Sequence, residues 1–235
     1  MDIGKPYNLL GTVNVWELSK RVSQLTMADW EARPIRRASL AGAAHNAARS
    51  IVMKHEWTPE VSKRGYKTLD ESLRYWCGVK ERPVDDMLPL SRQENDQTTV
   101  YTFEDWYRWR DLVEPITDRV LSMIPGASNP VLIRALLIRL DGRGVVPYHV
   151  DDQKLANLTH RIHVCVSNTP GCIYKVDGHH FNMSPGGVYD FNNKVKHGVE
   201  NRDQAPRLNM MLEVLPNAQR IGPVEKLRDR ASETS

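Results

Sequence analysis

The sequence predicts a mainly β fold with flanking helices, and its second half carries most of the pattern. From residue 131 to 215, short apolar segments alternate with turns rich in Gly, Pro and Asn. This spacing is typical of an all-β sandwich or barrel. The segment VLIRALLIRL (131–140) is largely apolar on both faces and ends at DGRG, which predicts a buried strand followed by a turn.

The rest of the chain is more mixed. The segment ARSIVMKH (48–55) predicts a strand, and one apolar stripe predicts a helix over 103–124, kinked or restarted at Pro115. Residues 1–33 are expected to form an arm with short helices, and residues 57–100 are polar and irregular. The further predicted strands are 145–149, 161–167, 171–176, 187–191, 196–200 and 206–215.

Composition is that of an ordinary soluble globular protein. The 235 residues are 40% hydrophobic and 26% charged, with a net charge of +3. No long Lys/Arg run accompanies the mild basicity, so nucleic acid is not expected as a partner. There is no apolar signal core and no membrane-length stretch, and Cys77, Cys165 and Cys172 form no CxxC pair. We expect buried, inert thiols, no membrane partner and a cytoplasmic location.

Histidines are concentrated in one part of the sequence. Six of the eight lie between His149 and His197. His149 and Asp151 are two residues apart, so on an extended chain they point to the same side, whereas Asp152 points away. With His197 from a distant strand, they would form the two-histidine, one-carboxylate set of non-haem Fe(II) oxygenases. Taken alone, the HxD pair also fits a hydrogen-bonded turn edge.

Two predicted strands carry basic residues on one face. Arg207 starts a strand ten residues after His197 and can face the same cavity, where a guanidinium binds a carboxylate bidentately. Arg161 and His163 share a face with Cys165 on a buried strand. Buried charges need an acceptor, and a dicarboxylate co-substrate would satisfy both strands.

These motifs follow one another in a fixed order. They are His149-x-Asp151, Arg161-Ile-His163, the GVYDFNN segment (187–193), His197 and Arg207. The set resembles the aspartyl/asparaginyl β-hydroxylase family of Fe(II)- and 2-oxoglutarate-dependent oxygenases, and bacterial free-proline hydroxylases look similar. The resemblance covers roughly residues 130–215.

The resemblance implies a double-stranded β-helix, a cupin-like jelly roll, with helices packed outside. The implied Fe(II) ligands, which form the catalytic triad, are His149, Asp151 and His197. It also implies that Arg207 pairs with the distal carboxylate of 2-oxoglutarate, that Arg161 and His163 help to hold this co-substrate, and that O2 is consumed. Animal membrane-bound members of the family lack the carboxylate ligand, whereas this chain has Asp151.

The expected organisation is one oxygenase domain over 1–216 with a charged tail over 217–235, frayed or disordered. The domain would combine an N-terminal helical, substrate-shaping part (1–130) with a jelly-roll catalytic core (131–216). The resemblance implies hydroxylation of an unactivated C–H bond in an amino acid, a peptide or protein Asp/Asn residue, or a peptide-like metabolite. Two alternatives stay open: a non-catalytic cupin-type module for metal or a small acid, and an O2-independent isomerase or lyase.

The other polar residues of this region are expected to be structural. His160 is out of phase with the basic face that follows it and is predicted to lie in a loop. His179 and His180 sit at a predicted hairpin tip and should be exposed. Asn192 and Asn193 are expected to shape the turn before the distal histidine.

Overall fold

The strand-forming segments of the sequence become the strands of two antiparallel sheets in the computed structural model, which describes residues 1–36, 48–57, 65–151 and 154–229. The strands within these ranges are β1 (Tyr7–Thr12), β2 (Ala48–Trp57), β3 (Ser91–Asn95), β4 (Thr99–Thr102), β5 (Val131–Leu140), β6 (Val145–His149), β7 (His160–Ser167), β8 (Cys172–Val176), β9 (His179–Phe181), β10 (Gly187–Phe191), β11 (His197–Asn201), β12 (Arg207–Leu215) and β13 (Ile221–Lys226). The α-helices are α1 (Trp16–Ser23), α2 (Met27–Glu31), α3 (Leu69–Val79) and α4 (Glu104–Leu121).

Two sheets of unequal size face each other. The large sheet has the strand order β1-β10-β7-β12-β5-β2-β4-β3-β13, and the small sheet has the order β6-β11-β8-β9. The order is far from the sequence order, so β7 and β12 are neighbours although the chain visits the small sheet between them. Such crossing between two sheets is the arrangement of a jelly roll, and the predicted mainly β, cupin-like double-stranded β-helix is confirmed.

The alternation of side chains along β12 separates two cores. Met211 points to the inner core between the sheets, where Tyr174 of β8 and Phe191 of β10 also lie. Met210 and Leu212 point to the outer core, which helix α4 covers. Strand β7 alternates in the same way, as its sequence predicts. The basic residues that were predicted to lie on one face of β7 and on one face of β12 therefore all lie on the inner face.

Helix α4 is the main cover of the outer face. Its apolar stripe buries Trp109 and Val113 against the large sheet, and burial of one large apolar side chain contributes roughly 1.5–3 kcal/mol. The helix continues through Pro115 rather than restarting there. The predicted helix over 103–124 is confirmed. Because α4 packs on the outer face of the sheet, it does not cover the inner face, where the polar residues of the site lie.

The N-terminal part is more β-rich than predicted. The strand predicted over 48–55 is confirmed as β2, but the described residues of this part also form β1, β3 and β4 in the large sheet, so the expectation of a helical N-terminal part is wrong for those three segments. The polar segment 57–100 contains helix α3, which begins at a capping box between Thr68 and Glu71. The tail is also different, because Ile221–Lys226 pairs with β3 as an edge strand. No helix among the described residues is long and apolar enough to cross a lipid bilayer.

Candidate active site

Three predicted ligands meet at the open edge of the small sheet. Strands β6 and β11 pair so that His149 lies opposite His197, with ring centroids 4.4 Å apart. Asp151 follows β6 by two residues and turns its carboxylate towards both rings. Its Oδ1 lies 3.8 Å from Nε2 of His149, and its Oδ2 lies 3.9 Å from Nε2 of His197. Three ligand atoms within 4.8 Å of one another suit one divalent cation.

Both histidines make the same kind of contact, to the backbone carbonyl two residues earlier in the chain. Nδ1 of His149 lies 2.8 Å from the Pro147 carbonyl oxygen, and Nδ1 of His197 lies 3.0 Å from that of Val195. A carbonyl only accepts, so each Nδ1 carries the proton and each Nε2 keeps a lone pair for a metal. Burial lowers the pKa of His197, which favours the neutral, ligating form.

The loop before β11 fixes the carboxylate ligand through its backbone. The Asp151 amide donates to the Asn193 carbonyl oxygen at 3.1 Å, and Lys194 Nζ donates to the Asp151 carbonyl oxygen at 2.9 Å. Asn192 Oδ1 accepts from the Lys194 amide, so the predicted turn role is confirmed for Asn192, whereas Asn193 Oδ1 accepts from the N-terminal amine of Met1. Asp152, the alternative ligand, lies outside the described residues.

Arg207 lies at the start of β12 with its guanidinium inside the inner core. Its side chain is buried, and Cζ sits 5.2 Å from the centroid of the Tyr174 ring. Within the described part of the chain, its Nε and Nη1 have no hydrogen-bond partner, and neither does the buried Tyr174 hydroxyl. Buried donors without acceptors cost about 1–3 kcal/mol each. Two neighbouring side chains in the inner core therefore carry polar groups without a partner among the described residues.

His163 is hydrogen-bonded to a residue of β12 and is not open to solvent. Its Nδ1 accepts a hydrogen bond of 2.5 Å from Asn209 Nδ2, and its ring packs on Phe191 at a centroid distance of 4.6 Å. Burial, followed by the nearby Arg207 and Arg161 cations, lowers the pKa of His163 well below its usual value. The ring is thus neutral, with its remaining proton on Nε2. Its role towards a co-substrate stays a prediction.

Arg161 pairs with two carboxylates. It forms an ion pair with Asp151, and its Nε donates to Glu213 Oε1 at 3.0 Å. The predicted acceptor for this buried cation is thus supplied by the protein itself. Its contact with a co-substrate stays a prediction.

Sequence reasoning missed two residues that contact the site, Tyr174 beside Arg207 and Glu213 beside Arg161. It also missed Arg134 and Glu56, which extend from Glu213 into the large sheet, away from the site. A signal existed for two of them: Arg134 interrupts an apolar strand, and Glu213 has the same strand phase as Arg207. The other two depend on which strands pack together.

Most of the predictions that gave residues a structural role are confirmed. His179 and His180 are exposed on β9, and the three cysteines are free and buried. The prediction for His160 is wrong, because it is the first residue of β7 and its Nδ1 bonds to Asp190 at 2.7 Å. It faces away from the triad because it is one residue out of phase with the inner face.

A jelly roll that carries a His-x-Asp…His cluster has the arrangement that non-haem Fe(II) oxygenases use to bind their metal. Residues 96–216, more than half of the chain, match the family described as aspartyl/asparaginyl β-hydroxylase. The chain belongs to this family, which consists of Fe(II)- and 2-oxoglutarate-dependent hydroxylases. No curated protein matches the chain significantly.

Several solved structures are similar to the chain at low sequence identity. A viral collagen prolyl hydroxylase from Paramecium bursaria Chlorella virus-1, in complex with 2-oxoglutarate, is 8% identical with a TM-score of 0.45, covering 90% of this chain and 96% of that one. A 2OG-Fe(II) oxygenase from Burkholderia pseudomallei is 12% identical with a TM-score of 0.37, covering 45% and 56%. A cupin domain from Bordetella pertussis is 14% identical with a TM-score of 0.29, covering 37% and 91%. At these TM-scores the likeness supports no assignment of function.

Proposed function

We propose that this chain is an Fe(II)- and 2-oxoglutarate-dependent dioxygenase that hydroxylates an unactivated C–H bond. The substrate class is an amino acid, an Asp or Asn residue of a peptide or protein, or a peptide-like metabolite. One observation carries the proposal: the jelly roll that brings three ligand atoms together also buries two Arg207 nitrogens that have no acceptor among the described residues. Family membership supports the same reaction class.

The side chains fit both groups that the family implies. His149, Asp151 and His197 would hold Fe(II) from one side and leave other positions open. Arg207 would pair with the distal carboxylate of 2-oxoglutarate, since its buried Nε and Nη1 have no acceptor among the described residues. The Tyr174 hydroxyl, buried beside it, would give a further donor.

When bound, the iron and 2-oxoglutarate supply the oxidising chemistry: O2 is consumed, the co-substrate leaves as succinate and CO2, and the substrate gains a hydroxyl group. The residues of this chain bind and orient. The triad fixes the metal, and the Nδ1–H bonds of its histidines keep both Nε2 atoms aimed at it. Phe191 and Met211 line the inner core and exclude water from the co-substrate.

The proposal is tested by product formation. Purified protein with Fe(II), 2-oxoglutarate and O2 is expected to release succinate, slowly without substrate and faster with one drawn from a panel of amino acids and Asp/Asn peptides. Without O2, Fe(II) and 2-oxoglutarate should give a weak visible absorption band. Turnover that persists without O2 would favour an isomerase or lyase. Metal binding with neither band nor succinate would favour the binding module.

The cellular setting is part of the proposal. Three free, buried cysteines suit a reducing compartment, which supports a cytoplasmic location. A small-molecule or peptide substrate is the proposed partner. Expression with a fluorescent tag followed by fractionation tests the location.

The Tyr174 hydroxyl offers a specific test of the co-substrate site. Tyr174→Phe removes only a hydroxyl that has no partner among the described residues. We expect the dissociation constant for 2-oxoglutarate, measured without O2 on the Fe(II)-loaded protein, to rise about 10- to 100-fold. A hydrogen bond to a charged acceptor contributes about 1.5–3 kcal/mol, and each 1.4 kcal/mol is a factor of ten.

Tyr189→Phe is the matched control. Tyr189 lies in the same aromatic cluster, but its hydroxyl already accepts from the Ser184 amide at 3.1 Å. Its loss should leave 2-oxoglutarate affinity unchanged. The 2-oxo acid 2-oxobutyrate, which has no distal carboxylate, should bind wild type and Tyr174→Phe equally. Equal losses in both variants, or a loss for 2-oxobutyrate as large as for 2-oxoglutarate, would rule out the contact.

A further inference from the structure

A row of alternating charges leads from the candidate metal site into the large sheet. From the far end it consists of Glu56 on β2, Arg134 on β5, Glu213 on β12, Arg161 on β7 and Asp151. The strand register places Glu213 opposite both Arg134 and Arg161. The side chains of the four members that lie on strands are each at most 12% exposed. Four strands thus carry one continuous buried ion network to a metal ligand.

Glu213 is the central member of the network. Its Oε1 accepts from Arg134 Nη1 at 3.2 Å and from Arg161 Nε at 3.0 Å. At the far end, Arg134 Nε donates to Glu56 Oε2 at 2.7 Å. Burial raises the pKa of the Glu213 carboxyl, but the two arginines outweigh burial and bring it to about 2, so the carboxylate is charged.

Arg161 is shared between two carboxylates. Glu213 engages it from one side, while the guanidinium also forms an ion pair with Asp151. The charges of Glu213, Arg161 and Asp151 sum to −1, and the nearby Arg36 guanidinium, which interacts with both carboxylates, stays the same in every variant below. If the charge on Glu213 were lost, the sum would be zero, and Asp151 would become the main counter-ion of Arg161. A carboxylate neutralised in this way is a weaker ligand for a divalent cation.

We infer that Glu213 is a positioning residue for the metal site, holding Arg161 so that Asp151 keeps its orientation and its negative charge for the metal. The inference rests on the proposed metal site. It assigns Arg161 a role in orienting the ligand Asp151, in addition to its expected contact with the co-substrate. Partners behind a metal ligand commonly change metal affinity about 10- to 100-fold.

The test measures the binding of Mn(II), an O2-stable probe, to the full chain in the absence of 2-oxoglutarate. Glu213→Gln keeps the shape and an acceptor oxygen but removes the charge. Calorimetry, or the EPR signal of free Mn(II), is expected to show binding weakened about 10- to 100-fold. Glu56→Gln is the matched control, because it removes an equally buried charge from the same network without contacting Arg161. Its Mn(II) affinity should stay within about twofold of wild type.

A double variant separates positioning from folding. Glu213→Gln combined with Arg161→Met restores the sum of −1 beside the metal, and most of the lost Mn(II) affinity should return. A merely structural role predicts no such recovery. If Glu213→Gln does not fold, Glu213→Asp keeps the charge but draws it back from Arg161 by one methylene, and Mn(II) binding should weaken severalfold.

The outcomes are distinct. Unchanged Mn(II) affinity in the folded Glu213 variants, or equal losses in Glu213→Gln and Glu56→Gln, would overturn the inference. Failure of the proposed metal site itself gives a different result: wild type would then bind no stoichiometric Mn(II), or His197→Ala would bind as well as wild type.

Discussion

Replacing His197 by alanine is expected to remove divalent metal binding and with it all 2-oxoglutarate turnover. The side chain supplies one of three convergent ligand atoms and comes from β11, whereas the other two lie at the end of β6 and just after it. A two-ligand site holds the metal far more weakly, so the loss should exceed the roughly 10- to 100-fold that substitutions behind the ligands cause. Mn(II) titration and succinate release measure the two effects separately.

His179→Ala provides the control for this experiment. Its Nδ1 lies 3.0 Å from the Asp177 carbonyl oxygen, the same contact to the residue two positions earlier that both candidate ligands make. However, His179 is exposed on β9 and is outside the cluster. It should retain metal affinity and turnover. A His197→Ala protein that still binds Mn(II) with wild-type affinity would contradict the assignment of the triad.

The sequence predicts the strand faces of this site well because alternation in a strand is a local property. The phase of β7 puts Arg161 and His163 on one face, and the phase of β12 does the same for Arg207. Both faces turn out to be the inner ones. The HxD spacing likewise brings His149 and Asp151 together without knowledge of the rest of the fold.

The partners of those residues could not be predicted in the same way. Glu213 lies 52 residues from Arg161 and 79 from Arg134, and only the register of non-sequential strands makes them neighbours. Tyr174 meets Arg207 across the gap between two sheets, a contact set by sheet packing. One sequence contains the alternation of each strand but not the order in which strands pair.

The strands missed by sequence reasoning have a related cause. Strand β13 is largely exposed and carries little hydrophobic pattern, since only one edge of it pairs. Strand β1 is also an edge strand, and a register shift between Leu9 and Gly11 interrupts its alternation. Tertiary pairing decides such segments more than local propensity does. By contrast, the buried strand β5 carries a continuous apolar pattern, and its predicted bounds match the observed ones.

Arg207→Met is expected to have opposite effects on the free and the liganded protein. Methionine is similar in length and apolar, so it fills the space without leaving buried N–H groups unpaired. Without 2-oxoglutarate, the free energy of unfolding should rise by about 1 kcal/mol or more, since a buried donor without a partner costs that much. With the co-substrate, the sign reverses.

The reversal follows from linkage. A ligand at 100 times its dissociation constant stabilises the folded protein by about 2.7 kcal/mol, and the Arg207→Met protein should lose this gain. Truncating one side of a buried charged contact costs about 2–5 kcal/mol, so 2-oxoglutarate should bind about 30- to several thousand-fold more weakly while Mn(II) affinity stays the same. Denaturant unfolding of the Mn(II)-loaded protein, with and without 2-oxoglutarate, reads out both signs.

Arg202→Met tests whether the effect belongs to the site. Arg202 precedes β12, is 60% exposed at its side chain and pairs with Glu200 at 3.0 Å, so its loss should change neither unfolding nor 2-oxoglutarate affinity by much. If Arg207→Met instead destabilises the free protein and leaves 2-oxoglutarate affinity intact, the guanidinium serves the fold. Buried nitrogens without a partner in the described part of the chain predict the opposite, because an incoming carboxylate would compensate for their burial.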